Sequence, residues 1–148
     1  MRKRVVNAVH SEFALDVFIA TAAACAFGVA TLSHKAVNYT VKGKTVIKNA
    51  ERLRLKESDR LKETVLRLKS FGINAEETSD GMIIEGGKPK AAEITSANDH
   101  RIVMAFSILA ANADGESTID GYEAINKSYP DFFEDYKALG GNAKCHQA

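Results

Sequence analysis

Two stretches of the sequence are apolar on nearly every side, and they constrain the fold more than any other feature. The first, from Phe13 to Phe27, is rich in alanine, and the second, from about Asp99 to Ala111, has almost no polar position. Alanine and leucine favour helices, and a helix that is apolar all round must be buried in a core. Both stretches therefore predict helices that other elements cover on all sides.

Each apolar helix begins a similar series of elements, and the second series follows the first by about 70 residues. After the helix come a short strand rich in threonine and isoleucine, a small break, a basic loop and an amphipathic helix. The first series is predicted to contain a strand from Thr45 to Lys48, a helix from about Ser58 to Phe71 ended by Gly72, and hairpin strands from Ile73 to Glu77 and Met82 to Glu85. The second is predicted to contain strands from Ala91 to Thr95 and Ser117 to Ile119, and a last helix that Pro130 opens and that runs to Leu139.

This repeat of α-β-α-β-β type predicts an α/β fold (α+β in detail) with buried helices and outward-facing sheets. The first unit covers about residues 13–87 and the second about 88–148. The second unit has no final hairpin, and nothing before Phe13 is long enough to complete the first. We therefore expect the 148 residues to be part of a larger protein, and the structure of residues 29–43 to be the least defined by the sequence.

Charge and cysteine content exclude several classes of protein. With 20 Lys and Arg against 19 Asp and Glu, the net charge is +1, so no overall field attracts nucleic acid or an acidic membrane. Cys25 and Cys145 are too few for a disulfide framework, and they indicate a reducing compartment such as the cytoplasm.

A secretory signal or membrane anchor is the alternative interpretation of the N-terminal region, because basic residues precede the apolar stretch from Phe13 to Leu32. However, that stretch contains Asp16 and consists largely of alanine. An acidic residue at the centre of a spanning helix costs about 2.5–3.5 kcal/mol. A buried helix of a soluble protein, with no membrane contact, fits the sequence better.

Basic residues gather at three predicted helix starts, where the helix dipole disfavours them. Lys56 and Arg60 flank the first start, with Ser58 or Asp59 as its cap, Arg101 follows Asn98 at the second, and Lys127 precedes Ser128 at the third. A bound anion would remove this electrostatic penalty, because helix N-termini and Arg side chains both donate hydrogen bonds to phosphate and carboxylate. The three starts together predict a site for small polyanionic ligands.

Simpler interpretations of these residues stay open. Glu57 and Arg60 fit a surface ion pair, Asp99 is placed to neutralise Arg101, and His100 fits a polar residue at a helix start. We predict no metal, because no second ligand stands at metal-binding spacing around His100. Asp16 must be paired if it is buried, and it is either the partner of a buried cation or a general base.

Three blocks of sequence resemble conserved blocks of the 5-enolpyruvylshikimate-3-phosphate synthase family, in the same order and at fitting distances. They are Leu53-Arg54-Leu55-Lys56-Glu57-Ser58-Asp59-Arg60-Leu61, Asn98-Asp99-His100-Arg101-Ile102-Val103-Met104-Ala105 and Lys127-Ser128-Tyr129-Pro130-Asp131-Phe132-Phe133. The similarity runs from about Asp16 to Gly140 and corresponds to the C-terminal third of the family's usual length.

The resemblance implies a fold, a reaction and a set of site residues. The family folds into two domains of βαβαββ units, and it transfers the enolpyruvyl group of phosphoenolpyruvate to shikimate 3-phosphate, a step of aromatic amino-acid biosynthesis, without metal or organic cofactor. By this resemblance Arg60, Arg101, Lys127 and His100 bind phosphoenolpyruvate, Lys56 contacts both substrates, Asp16 contacts shikimate 3-phosphate and takes its proton, and Glu57 protonates the methylene carbon.

The chain departs from the family in three ways. The prolines that often stand beside and shortly after the position of Asp16 are absent, and the stretch from Val29 to Gly43 is longer than the usual link between helix and strand. The N-terminal domain that supplies most contacts to shikimate 3-phosphate is also absent. We therefore expect negligible turnover from this chain alone. The alternatives are a non-catalytic module that binds phosphoenolpyruvate or another anion, and a relative of UDP-N-acetylglucosamine enolpyruvyl transferase, which uses an active-site cysteine.

Overall fold

The computed structural model describes the backbone of residues 3–7 and all of residues 43–146. The predicted apolar helix from Phe13 to Phe27, including Asp16 and Cys25, lies outside the described residues, as does almost all of the segment 29–43. Among the described residues, no helix is long and apolar enough to cross a membrane.

A four-stranded sheet forms the first half of the described fold. Its strands are β1 (Lys3–Asn7), β2 (Lys44–Lys48), β3 (Asn74–Glu77) and β4 (Met82–Glu85), in the spatial order β1-β2-β4-β3. β1 pairs parallel with β2, whereas β4 runs antiparallel to both β2 and β3. The strand and hairpin predictions are therefore confirmed, and β1 is a further strand, before Phe13, that the sequence analysis did not predict.

The turn between β3 and β4 requires glycine at position 81. A Cβ atom on Gly81 would lie 2.1 Å from the backbone oxygen of Ile47 on β2, far closer than van der Waals contact. The backbone of β2 thus approaches the hairpin turn at a point that only a residue without a side chain permits.

The second half contains a smaller sheet, in which β5 (Glu93–Thr95) pairs parallel with β6 (Thr118–Asp120). Three α-helices are seen among the described residues: α1 (Arg60–Ser70), α2 (His100–Ala110) and α3 (Phe132–Ala138). Two 3-10 helices that the sequence analysis did not predict, Glu51–Leu55 and Tyr122–Lys127, precede α1 and α3.

Helices α1 and α2 carry the core between the two sheets. Leu61, Val65 and Leu68 of α1 are buried with apolar residues from β2, β3, β4 and β5. Phe71, which follows α1, stacks on Phe106 of α2 with ring centroids 5.9 Å apart. Burying this apolar surface is the main force that joins the two halves. The prediction that α2 is buried holds on most sides, although Ile108 is 48% exposed.

The helix starts agree with the prediction at α1 and differ from it at α2 and α3. At α1, Asp59, one of the two predicted caps, is the N-cap, and its side chain accepts a hydrogen bond from the Lys62 amide. At α2, the N-cap is Asp99 and not Asn98, which has a positive φ of 55°. Ser128 caps no α-helix: it follows the 3-10 helix Tyr122–Lys127, and α3 starts at Phe132, two residues after Pro130.

Candidate functional site

The starts of α1 and α2 meet through a buried ion pair that links the two halves of the fold. Arg60, the first residue of α1, donates from Nε to Asp99 Oδ2 at 2.6 Å and from Nη2 to Asp99 Oδ1 at 3.3 Å. The side chains of Arg60 and Asp99 are 2% and 0% exposed. A carboxylate that is removed from water in this way must be paired, and the Arg fork meets both of its oxygens.

Asp99 also organises the backbone around it. Its Oδ1 accepts a hydrogen bond of 3.0 Å from the Arg101 amide, and its Oδ2 accepts one of 2.9 Å from the Ser58 hydroxyl. Burial alone raises the pKa of Asp99, but the hydrogen bonds and positive charge of Arg60, with the Arg101 amide and the Ser58 hydroxyl, outweigh burial and bring the pKa below its ordinary value of 3.8. Asp99 is therefore a fixed anion at the centre of the site.

This arrangement corrects the simpler interpretation of Asp99 and Arg101. The carboxylate of Asp99 pairs with the guanidinium of Arg60, 39 residues away, and contacts Arg101 through the backbone amide. Sequence reasoning missed this partnership. The available signal was the position of Asp99 directly before an apolar helix, where a capping carboxylate is favoured.

Glu57 and His100 lie next to the Arg60–Asp99 pair. Glu57 Oε2 is 3.0 Å from His100 Nδ1 and 3.5 Å from Arg60 Nη2. His100 is buried, whereas the Glu57 side chain is 40% exposed. Although Glu57 Oε2 lies close to Nδ1 of His100, the two atoms do not form a hydrogen bond. Nδ1 of His100 is therefore a buried polar atom without a hydrogen-bond partner among residues 43–146. This pair offers an accessible carboxylate in contact with a buried imidazole.

Glu57, Asp99 and His100 place one ligating atom each within 4.8 Å of one another. The structure therefore supplies two carboxylates near His100 that spacing in the sequence did not reveal. However, Arg60 engages both oxygens of Asp99. A divalent cation would have to displace this guanidinium or be repelled by it, which makes the cluster a poor metal site.

The remaining predicted cations lie around the same cluster. Lys127, at the end of the second 3-10 helix, donates from Nζ to the backbone oxygen of Asn98 at 2.6 Å, beside the start of α2. Arg101 is half-buried at the second position of α2. Lys56 is exposed and follows directly on the first 3-10 helix. The structure thus brings the three basic segments together, although Asp16 lies outside the described residues.

The site carries an excess of positive charge. The residues named for the site include four cations, Lys56, Arg60, Arg101 and Lys127, and two carboxylates, Glu57 and Asp99, whose formal charges sum to +2. The start of α2 adds the positive end of its helix dipole. Such a site favours a small ligand with several negative charges.

Comparison with known proteins shows the family to which the chain belongs. Residues 3–136 match the family model described as EPSP synthase (3-phosphoshikimate 1-carboxyvinyltransferase). The chain belongs to the EPSP synthase family. The fold class is also confirmed, because an EPSP synthase structure from Acinetobacter baumannii superimposes with a TM-score of 0.78 at 34% identity, covering 97% of this chain and 32% of that one.

Two curated relatives show the extent of the likeness in sequence. The 3-phosphoshikimate 1-carboxyvinyltransferase of Methanocaldococcus jannaschii is 48% identical over 101 residues, which are 68% of this chain and 24% of that protein. The enzyme of the same name from Clostridium acetobutylicum is 50% identical over 101 residues, with the same two shares. The chain thus matches about a quarter of the length of these family members.

Proposed function

We propose that this chain forms the phosphoenolpyruvate-binding part of a 3-phosphoshikimate 1-carboxyvinyltransferase. The observation that carries the proposal is the convergence of Arg60, Arg101 and Lys127 on the start of α2, around the fixed anion Asp99. Phosphoenolpyruvate carries a phosphate and a carboxylate, which match a site of net positive charge with Arg and Lys donors.

The reaction requires a base on one side of the double bond and an acid on the other. Asp16 removes the proton of the 5-hydroxyl of shikimate 3-phosphate, whose oxygen then bonds to C2 of phosphoenolpyruvate. Glu57 delivers a proton to the C3 methylene, which completes a tetrahedral intermediate. In the second half of the reaction the Glu57 carboxylate takes a proton back from C3 while phosphate leaves C2, and this restores the double bond.

The described residues support separate roles for Glu57 and the cations. The side chain of Glu57 is accessible to a ligand, and its Oε2 lies 3.5 Å from Arg60 Nη2 and 3.0 Å from His100 Nδ1, at the start of α1. Lys56, its exposed neighbour, is accessible to a ligand, and by the resemblance it contacts both substrates. Because charge develops on the phosphate and carboxylate oxygens, fixed cations that need no reorganisation stabilise the transition state.

A second protein segment is required for turnover. The chain matches about a quarter of its curated relatives, and the described site leaves Lys56 and Glu57 open to water. Chemistry of this kind depends on excluding water and on orienting the acceptor. The N-terminal domain of the same enzyme is therefore the partner we propose, and shikimate 3-phosphate binds between the two parts. For the isolated chain we expect binding of phosphoenolpyruvate without release of phosphate.

Titration calorimetry with phosphoenolpyruvate tests the anion site. We expect Arg101→Ala and Lys127→Ala each to weaken binding about 10- to 100-fold, because a hydrogen bond to a charged group contributes roughly 1.5–3 kcal/mol. Lys69→Ala is the matched control, since Lys69 is an exposed cation in the last turn of α1. Equal affinity in all three variants and the unmodified chain would refute the proposed site.

The two alternatives give different results. A non-catalytic binding module binds phosphoenolpyruvate but stays inactive when it is combined with the N-terminal domain of a family member, as a phosphate-release assay measures. A UDP-N-acetylglucosamine enolpyruvyl transferase relative is disfavoured, because the curated relatives carry the 3-phosphoshikimate name. Cys145, the free cysteine among the described residues, is exposed near the C-terminus, away from the named site residues in sequence. A location in the cytoplasm remains a prediction from the cysteine content.

A further inference from the structure

The segment that carries Lys56 and Glu57 has little apolar contact to hold it in place. We call residues 55–59, which join the first 3-10 helix to α1, the site loop. Leu55 is 86% exposed, and Lys56 and Glu57 are exposed too. A segment of this kind has many conformations open to it, so polar contacts must fix the positions of its side chains.

One guanidinium makes such contacts at the base of the site loop. Arg54 lies directly before the loop, and its Nη1 donates to Asp59 Oδ2, at the other end of the loop, at 3.2 Å. The same Nη1 donates to Glu77 Oε1, and Nη2 donates to the backbone oxygen of Thr78 at 2.8 Å. Arg54 thus joins the two ends of the loop to each other and to the end of β3.

The Arg54 contact also reaches the start of α1. Asp59 uses Oδ1 to cap the helix through the Lys62 amide and Oδ2 to accept from Arg54. The orientation of the first turn of α1, which includes Arg60, is therefore connected to the same guanidinium. The hydrogen bond to Glu77 raises the pKa of Arg54 most, and the hydrogen bond to Asp59 raises it further, whereas burial acts in the opposite direction. The Arg54 side chain therefore stays charged at every physiological pH.

We propose that Arg54 is a positioning residue, which fixes the site loop so that Lys56 and Glu57 face the ligand. It needs the planar fork of Arg, since one side chain meets two carboxylates and a backbone oxygen in different directions. A lysine offers a single charged nitrogen and cannot hold all three partners with the same geometry. The role in ligand binding rests on the proposed function, whereas the ordering of the loop does not.

The experiment compares Arg54→Gln and Arg54→Lys with Arg67→Gln. Arg67 is a matched control, because it also makes an ion pair and two hydrogen bonds to a strand, through Glu63 and Thr95, but it does so away from the site loop. Three quantities are measured for each variant: the thermal midpoint, the rate of glutamyl-endopeptidase cleavage after Glu57 identified by mass spectrometry, and the affinity for phosphoenolpyruvate.

We expect Arg54→Gln to raise cleavage after Glu57 about tenfold and to weaken phosphoenolpyruvate binding by a similar factor, with Arg54→Lys in between. Arg67→Gln should lower the thermal midpoint without changing either quantity. A further readout separates positioning from general stability: Lys56→Ala should reduce affinity less in the Arg54→Gln background than in the unmodified chain, because the two residues act together.

Each outcome decides the proposal. Unchanged cleavage after Glu57 in Arg54→Gln overturns the positioning role of Arg54. Equal losses of affinity in Arg54→Gln and Arg67→Gln also overturn it, and so do strictly additive losses of affinity when Arg54→Gln is combined with Lys56→Ala. If the unmodified chain does not bind phosphoenolpyruvate, the proposed function fails, and the cleavage rates still decide whether Arg54 orders the loop.

Discussion

Replacing Asp99 by asparagine tests whether the buried ion pair holds the two halves of the fold together. Asn has nearly the shape of Asp and is an equally good N-cap, so Asp99→Asn keeps the cap of α2 and removes only the negative charge. Arg60 is then left as a cation that is 2% exposed and faces a neutral amide. The variant therefore isolates the electrostatic part of the interaction.

The size of the effect follows from the burial of both partners. Removing one member of a buried ion pair costs about 3–5 kcal/mol, because the remaining charge has no compensation. Asn retains one oxygen that accepts from Arg60, and Glu57 Oε2 stays 3.5 Å from Arg60 Nη2, so we expect a value at the lower end, about 3 kcal/mol of the free energy of unfolding. In a chain of this size each kcal/mol shifts the thermal midpoint by roughly 2–4 °C, which gives a fall of about 6–12 °C.

Urea denaturation followed by circular dichroism measures this loss. The control is Asp114→Asn, since Asp114 pairs with Lys88 at 2.7 Å but both side chains are about two-thirds exposed. An exposed pair contributes about 0–1 kcal/mol. We also expect Arg60→Met combined with Asp99→Asn to be more stable than Asp99→Asn alone, because the buried cation that has lost its buried partner is gone. If Asp99→Asn and Asp114→Asn unfold at the same urea concentration, the reasoning is wrong.

Three further predictions concern pH and packing. Because the pKa of Asp99 is lowered in the folded chain, its contribution to stability is present above the ordinary value of 3.8 and is lost as pH falls through the folded pKa. Asp99→Asn should therefore lose less stability than the unmodified chain in acid titrations below about pH 4. Equal losses in the two proteins would contradict this. Gly81→Ala should cost at least 2 kcal/mol in urea denaturation, since its Cβ would meet the Ile47 oxygen at 2.1 Å, and an unchanged midpoint would show that the turn can move. Phe106→Ala should cost about 3–5 kcal/mol through the lost stacking and the cavity, whereas Ile108→Ala on the exposed side of α2 should cost less than half as much, and a calorimetric scan compares the two.

The local features of the fold could be predicted from the sequence. Helix α1 follows from Leu61, Val65 and Leu68 at helical spacing, and the β3–β4 hairpin follows from its glycine turn. Both depend on residues close together in the chain, where periodicity and turn chemistry act directly. The basic helix starts were also visible, because a cation at the positive end of a helix dipole is unfavourable without an anion.

Interactions between distant segments could not be predicted in the same way. The partner of Asp99 lies 39 residues away, whereas the sequence favoured Arg101, only two residues away, as the simpler choice. The 3-10 helices were missed since their short length gives no clear period. The role of Arg54 could not be predicted from its place in the first conserved block, because its three partners come together only when β3 packs beside α1.

The ion pair between Arg60 and Asp99 has a consequence for the way ligand binding and folding depend on each other. One partner begins α1 and the other precedes α2, so the site exists only while both halves are folded and docked. A ligand that binds there stabilises this docked state in proportion to its concentration. Hydrogen exchange should then slow in β4 and in β6 together when phosphoenolpyruvate is added, although neither strand contains a residue of the proposed site. Bound phosphoenolpyruvate would thereby stabilise the packing of the two sheets against each other.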